Sequence, residues 1–223
     1  MATTTFDRGF DGGTPDYRGR LRRARLGLAV AITPIVMLFV SFTSAYIVRQ
    51  GLPTLDERSG TYVRDWFSVK LPVKLLLVNT IVLILSSISL EAVRRQLAQR
   101  VALLPAGGVR GVSIGQERIP ALLGLTVALG AGFLAGQVLA WRELARVGFY
   151  VATSPSSSFV YLLTATHAVH LAGGLVALLC AIFMFLRRRP VQSRYIVLDT
   201  VAWYWHFMAL LWIYIFALLW FAK

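Results

Sequence analysis

One cysteine, three histidines and ten acidic residues are nearly all that this 223-residue chain offers to the common reactive chemistries. Cys180 has no partner for an internal disulfide. It lies in the apolar run "VALLCAIF", where a free thiol is expected to be a small buried apolar residue. The sequence holds no C-x-x-C and no C-x-x-C-H, so neither a cysteine-held cluster nor covalently attached haem is encoded. No cleaved leader is expected, because the first apolar run starts late and exceeds the roughly 7–15 residues of a signal-peptide core. Beyond Asp199 and the helix-end Glu91 and Glu143, the apolar runs hold no acid, which leaves too few for a proton file. Paired halves with interrupted helices, a common mark of transporters, are missing too.

What is abundant is apolar. Hydrophobic residues make up 57% of the chain and charged ones 15%, with a mean hydropathy of +0.67. That balance fits a polytopic membrane protein rather than a soluble domain. Five runs, near residues 26–48, 71–91, 119–141, 158–186 and 198–221, are each long enough to cross a hydrocarbon core of about 30 Å. Unpaired backbone is excluded from hydrocarbon, so each run is expected to be a helix. The predicted fold is all-α, a bundle of five transmembrane helices over 26–223. A polar, mobile segment over 1–25 precedes it, and the Gly/Pro loop "ALLPAGGVRGVSIGQERIP" joins the second and third spans.

The net charge of +13 would suggest nucleic acid in a soluble protein. Here the cations sit between apolar runs, so no nucleic-acid partner is expected and their role is to orient the chain. Arg18 to Arg25, Arg94, Arg95, Arg100, Arg110, Arg118, Arg187, Arg188, Arg189 and Arg194 fall on one side. The other side has fewer. The positive-inside rule then puts the N-terminus in the cytoplasm and, with five spans, the C-terminus outside.

In the third span Gly124, Ala128, Gly132, Gly136 and Ala140 recur every fourth residue, a ridge that would let a neighbouring helix approach closely. Gly132→Leu is accordingly expected to force helices apart. Pro34 is expected to kink the first span. Asn79 and Ser86 are seven residues apart, so they share a face that should turn toward protein.

Intramembrane ionisable groups are functional candidates, and the chain has few. His167 and His170 sit in the fourth span; Asp199 and His206 sit in the fifth, on one stripe about 10 Å apart in rise, with Trp203 between. His206, inside "WYWHFMALLW", fits three roles: metal ligand, proton relay or hydrogen-bonded packing group. His170 and His206 fall at comparable depths on antiparallel helices, so an independent bis-histidine haem protein is one reading. Against it, a di-haem arrangement wants four such histidines, and a catalytic metal wants more converging ligands. Buried histidine held by hydrogen bonds is the simpler reading.

Taken together the polar marks resemble one family. "LLLVNTIVLILSSISLEAVRRQL", "GAGFLAGQVLAWREL" with its Phe-x-x-x-Gln ending at Gln137, "YLLTATHAVHLAGGLVAL", "LDTVAWYWHFMALLWIYIFALLW" and "SFTSAYIVRQG" are similar to segments of subunit III of the haem–copper terminal oxidases. The resemblance runs from about residue 26 to residue 223 on every span, and it is to the short five-helix bacterial form. It implies a subunit with no catalytic residue, cofactor or metal of its own, in the bacterial cytoplasmic membrane. Such a subunit packs beside a subunit I that holds haem and copper, stabilises it, binds phospholipid between helices and supports proton uptake. The complex reduces dioxygen with electrons from cytochrome c; a quinol oxidase or a nitric oxide reductase would use an equivalent subunit. Other oxidase subunits and a larger respiratory assembly are further expected partners. His167, His170 and His206 then correspond to the family's structural histidines, with Asn79, Ser86, Gln137, Asp199 and Trp203 as polar or lipid-cleft positions. Arg187, Arg188 and Arg189 are candidates for anionic head groups. Two departures stand out: the family's first-span glutamate falls at or beside Ile35, and its Val-Asp after Trp-Tyr-Trp-His-Phe is Met208-Ala209 here.

Overall fold

A computed structural model of the chain describes residues 17–56, 61–63, 72–102, 118–151, 154–187 and 190–221. Five helices make up nearly all of it: α1 (Tyr17–Gly51), α2 (Val73–Ala102), α3 (Arg118–Arg146), α4 (Pro155–Leu186) and α5 (Val191–Phe221). All five are long and apolar enough to cross a membrane, and the chain is a multi-pass membrane protein. Their lengths run from 29 to 35 residues, which at 1.5 Å per residue is about 45 Å or more against a hydrocarbon core of about 30 Å. Every helix therefore outruns the apolar stretch that marks it. The difference is largest at α1. Residues 17–25, expected in a mobile segment, are helical, because "YRGRLRRAR" is rich in good helix formers although it is too polar for hydrocarbon. Residues 1–16 of that segment lie outside the described residues. Between α1 and α2, strands β1 (Thr54–Asp56) and β2 (Thr61–Val63) pair antiparallel, with Leu55 opposite Tyr62. Three residues a strand is too short for an alternating pattern to register in the sequence.

Helices α2, α3, α4 and α5 close a square in which each touches two neighbours, and α1 lies outside it against α4 and α5. The interior is filled by Leu83, Leu90, Leu123, Phe133, Leu163, Leu171, Leu198, Trp205, Trp212 and Ile215. Outward positions such as Val30, Met37, Ile88, Val169 and Leu210 are also apolar, as surfaces that face lipid must be, and Cys180, expected to be buried, is exposed among them. Burial from lipid supplies no hydrophobic drive, so close packing and polar contacts hold such helices together.

On α3 the buried row is Leu123, Thr126, Gly130, Phe133, Gln137, Ala140 and Leu144, with spacings alternating between three and four. This corrects the expected ridge. A strict four-residue series drifts about 40° per step around a 3.6-residue helix. Gly124, Ala128 and Gly132 therefore face outward, and only Gly136 and Ala140 reach the interior. A Cβ added to Gly124 or Gly132 would meet nothing within 4 Å. The close approaches occur elsewhere. A Cβ at Gly136 would run into the Asn79 side chain, and one at Gly130 would lie 2.7 Å from the Trp205 indole.

The start of α4 is fixed by "SPSSS". Ser154 caps the helix: its Oγ accepts from the Ser157 amide at 3.2 Å while Ser157 Oγ accepts from the Ser154 amide at 3.1 Å. Pro155 follows, where its missing N–H leaves no bond unmade. Ser154→Ala is expected to lower stability by about 1 kcal/mol. The thermal midpoint of the chain in nanodiscs reads this loss.

Candidate functional site

Charge gathers at one end of the bundle, where α1 and α5 begin and α2 ends. Asp199 is the deepest member, 0% exposed on α5. From α1, Arg25 donates Nε to Oδ2 at 2.9 Å and Nη2 to Oδ1 at 3.2 Å. From α2, Arg94 Nη1 donates to Oδ1 at 3.1 Å, and the Tyr195 hydroxyl lies 3.5 Å from the same oxygen. Arg94 also turns Nε and Nη2 onto the two Glu91 oxygens, at 2.7 and 2.8 Å. Arg95 Nε adds a third bond to Glu91 at 2.8 Å. Glu91 Oε2 then lies 3.3 Å from His206 Nε2, and His206 Nδ1 bonds the Ser87 hydroxyl.

These contacts make one connected file, Arg25–Asp199–Arg94–Glu91–His206–Ser87, across three helices. A carboxylate this deep is tolerable only when several charge-assisted bonds replace its water. The sequence puts Asp199 and His206 on one stripe but beyond direct contact; α2 supplies the link through Arg94 and Glu91. Glu91, Arg94 and Arg95 carried a local signal, an acid with cations at i+3 and i+4. Nothing local pointed Arg25 or Arg94 at Asp199. Along the outer side of this file runs a groove of about 440 Å³, lined by Ser87, Ile88, Glu91, Ala92, Arg95 and His206.

Above this end the polar groups stitch neighbouring helices. Asn79 Nδ2 donates to the Phe133 carbonyl at 3.3 Å, and Ser86 Oγ donates to the Thr126 carbonyl at 3.1 Å, so both face α3. Trp205 Nε1 donates to Ser86 Oγ at 3.2 Å and Trp212 Nε1 to Thr80 Oγ1 at 3.0 Å, tying α5 to α2. Tyr214 donates to Thr43 on α1 at 3.0 Å. Trp203 takes no part in this stitching: it is 52% exposed on the outer surface of α5. Trp205, two residues on, is the buried indole. Residues two apart in a helix differ by about 200° in direction, which composition does not resolve.

The histidines do not converge. His206 turns both nitrogens to α2. His170 Nδ1 bonds the Thr166 carbonyl of its own helix at 2.8 Å, and its ring meets Phe39 of α1 edge-on at 6.1 Å. His167 is buried against Phe133 and Trp212, with ring centroids 5.8 and 5.2 Å away. Neither of its ring nitrogens has a hydrogen-bond partner among the described residues. The amide of Gln137 on α3 is equally unpartnered. Among the described residues no three His, Cys, Asp or Glu side chains gather as a metal site would require. Arg187 stacks over Phe183 at 4.5 Å; Arg188 and Arg189 lie outside the described residues.

Comparison with known proteins places these features in a lineage. A family model described as cytochrome c oxidase subunit III matches residues 20–223. A probable cytochrome c oxidase subunit 3 of Nocardia farcinica is 32% identical over 104 residues, covering 44% of this chain and 49% of that protein. Cytochrome c oxidase subunit 3 of Bacillus sp. strain PS3 is 33% identical over 93 residues, 42% of this chain and 45% of its own. The chicken (Gallus gallus) protein of the same name is 24% identical over 192 residues, 86% of this chain and 67% of its own. The matched stretch thus spans about half the length of the bacterial relatives.

Proposed function

We propose, from the premise that this chain belongs to the cytochrome c oxidase subunit III family, that it is the non-catalytic third subunit of a proton-translocating terminal oxidase reducing dioxygen to water. It resides in a bacterial cytoplasmic membrane with its N-terminus inside, where the arginine-rich helix ends favour the cytoplasmic face. A partner subunit I supplies haem and copper and carries out the redox steps. This chain packs against it, stabilises it, and accepts phospholipid along its outward grooves. Arg187, Arg188 and Arg189 would hold anionic head groups at about 1 kcal/mol each.

One observation supports the structural role above the others: Asp199 and His206 are spent on neighbouring helices. Asp199 is shared by α1 and α2, and both nitrogens of His206 are engaged by Ser87 and Glu91. Axial ligation of a haem by His206 would break one of those bonds. His206→Gln is therefore expected to leave the haem and copper content of the purified complex unchanged while lowering bundle stability by about 1 kcal/mol. Loss of haem from the variant complex would contradict the role.

The reading is tested by isolating an affinity-tagged form of the chain from its native membrane. A haem- and copper-bearing polypeptide should co-purify, and the assembly should consume dioxygen with reduced cytochrome c. Activity with quinol alone, or reduction of nitric oxide, would assign the chain to a related complex. Recovery without any haem protein would overturn the reading.

A further inference from the structure

Toward the end of the bundle that carries the α3–α4 turn, Gln137 lines a cavity enclosed by four helices. Pro72 and Leu76 close it on α2's side, Trp141 on α3, Thr164 on α4, and Trp212 and Phe216 on α5. The space open to the centre of a water molecule is about 10 Å³, the room one water needs.

Polar capacity in this region is unfilled. Gln137 is 1% exposed, and neither its Oε1 nor its Nε2 has a partner among the described residues. Leaving a buried amide unpaired costs about 1–3 kcal/mol. Thr164 Oγ1 donates to the Val160 carbonyl at 2.7 Å and accepts from Trp141 Nε1 at 3.0 Å. One lone pair on that hydroxyl is left over. One turn along the same face of α4, His167 is likewise buried with both nitrogens unpartnered among the described residues, and its ring packs on Trp212, which lines the cavity.

We propose that this cavity is a binding site for a structural water, which accepts from Gln137 Nε2, donates to Thr164 Oγ1, and so links α3 to α4. The ligand class follows from the lining. The walls are mostly apolar, the volume admits nothing larger than water, and an amide and a hydroxyl provide the two or more polar partners a buried water needs. The charged file lies at the opposite end of the bundle and takes no part. The site does not rest on the subunit assignment, and its test reads the cavity alone.

The test is radiolytic hydroxyl-radical footprinting of the full chain in nanodiscs, together with any subunits that co-purify. A bound water delivers radicals to the side chains beside it. Trp212, which lines the cavity, should be oxidised several-fold more than Trp205, which is as deeply buried but does not line it. Gln137→Leu removes the amide and fills the space, and should bring Trp212 down to the level of Trp205. Equal protection of the two tryptophans in the unaltered chain, or unchanged Trp212 labelling in the variant, would overturn the site. Should Gln137→Leu fail to fold, a high-resolution density map of the unaltered protein decides: a peak within hydrogen-bond distance of the Gln137 amide supports the site, and a dry cavity refutes it.

Discussion

Arg94→Ala is expected to destabilise the bundle by about 3 kcal/mol, the scale for removing one partner from a buried ion pair. Arg94 is the only side chain in the file that touches both acids, with three donors committed at 2.7 to 3.1 Å. Its loss leaves Asp199, fully buried, with Arg25 as its remaining cation among the described residues. Arg25 itself is 47% exposed, so a guanidinium half in solvent or among head groups is a weaker replacement for water. Arg94→Lys should recover less than half of the loss, because one ammonium cannot span the fork that reaches Glu91 and Asp199 at once. Thermal unfolding in nanodiscs measures each variant. Within a double-mutant cycle, Asp199→Asn should cost clearly less in the Arg94→Ala background than alone, as expected for groups in one network. Additive losses would mean that the two residues act independently.

Gly130→Leu is expected to cost about 3 kcal/mol, at the upper end of overpacking penalties. The nearest obstacle is the Trp205 indole, a rigid group already anchored by its bond to Ser86, and Leu175 lies 3.2 Å from the same added Cβ. Gly132→Leu, two residues away, should stay within about 0.5 kcal/mol of the unaltered chain, since an added side chain there enters open space. The pair separates the two faces of α3. Should the outer stripe of Gly124, Ala128 and Gly132 meet another subunit, Gly132→Leu would weaken co-purification while leaving the isolated chain as stable as before. Equal losses at 130 and 132 would contradict the packing described.

The five spans were legible because the bilayer imposes one simple requirement, a long apolar helix, and hydropathy reports it directly. Helix ends were less so: α1 continues through Arg18 to Arg25, where the residues suit a helix but not hydrocarbon. The polar positions Asn79, Ser86 and Asp199 stood out against apolar surroundings and lie in the interior. Their partners did not stand out. Arg25 and Arg94 read as topogenic charge, since nothing in a one-dimensional pattern says which arginine reaches 174 or 105 residues along the chain. The four-residue ridge misled for a geometric reason, because regular spacing by four is not a straight stripe on a helix of 3.6 residues per turn. Of the tryptophans flanking Tyr204, the sequence favoured Trp203, whereas Trp205 carries the interior contact. At the two departures from the family resemblance, Ile35 packs against the core, and Met208 and Ala209 are buried.

The central claim is that Asp199, Glu91 and His206 join helices of this bundle and that redox chemistry belongs to a partner. The visible absorption spectrum of the chain purified to homogeneity, with every other polypeptide removed, tests it most directly. No haem band and no stoichiometric iron or copper are predicted, with the helices still folded. A Soret band that stays with the isolated chain and disappears in His170→Ala or His206→Ala would contradict it.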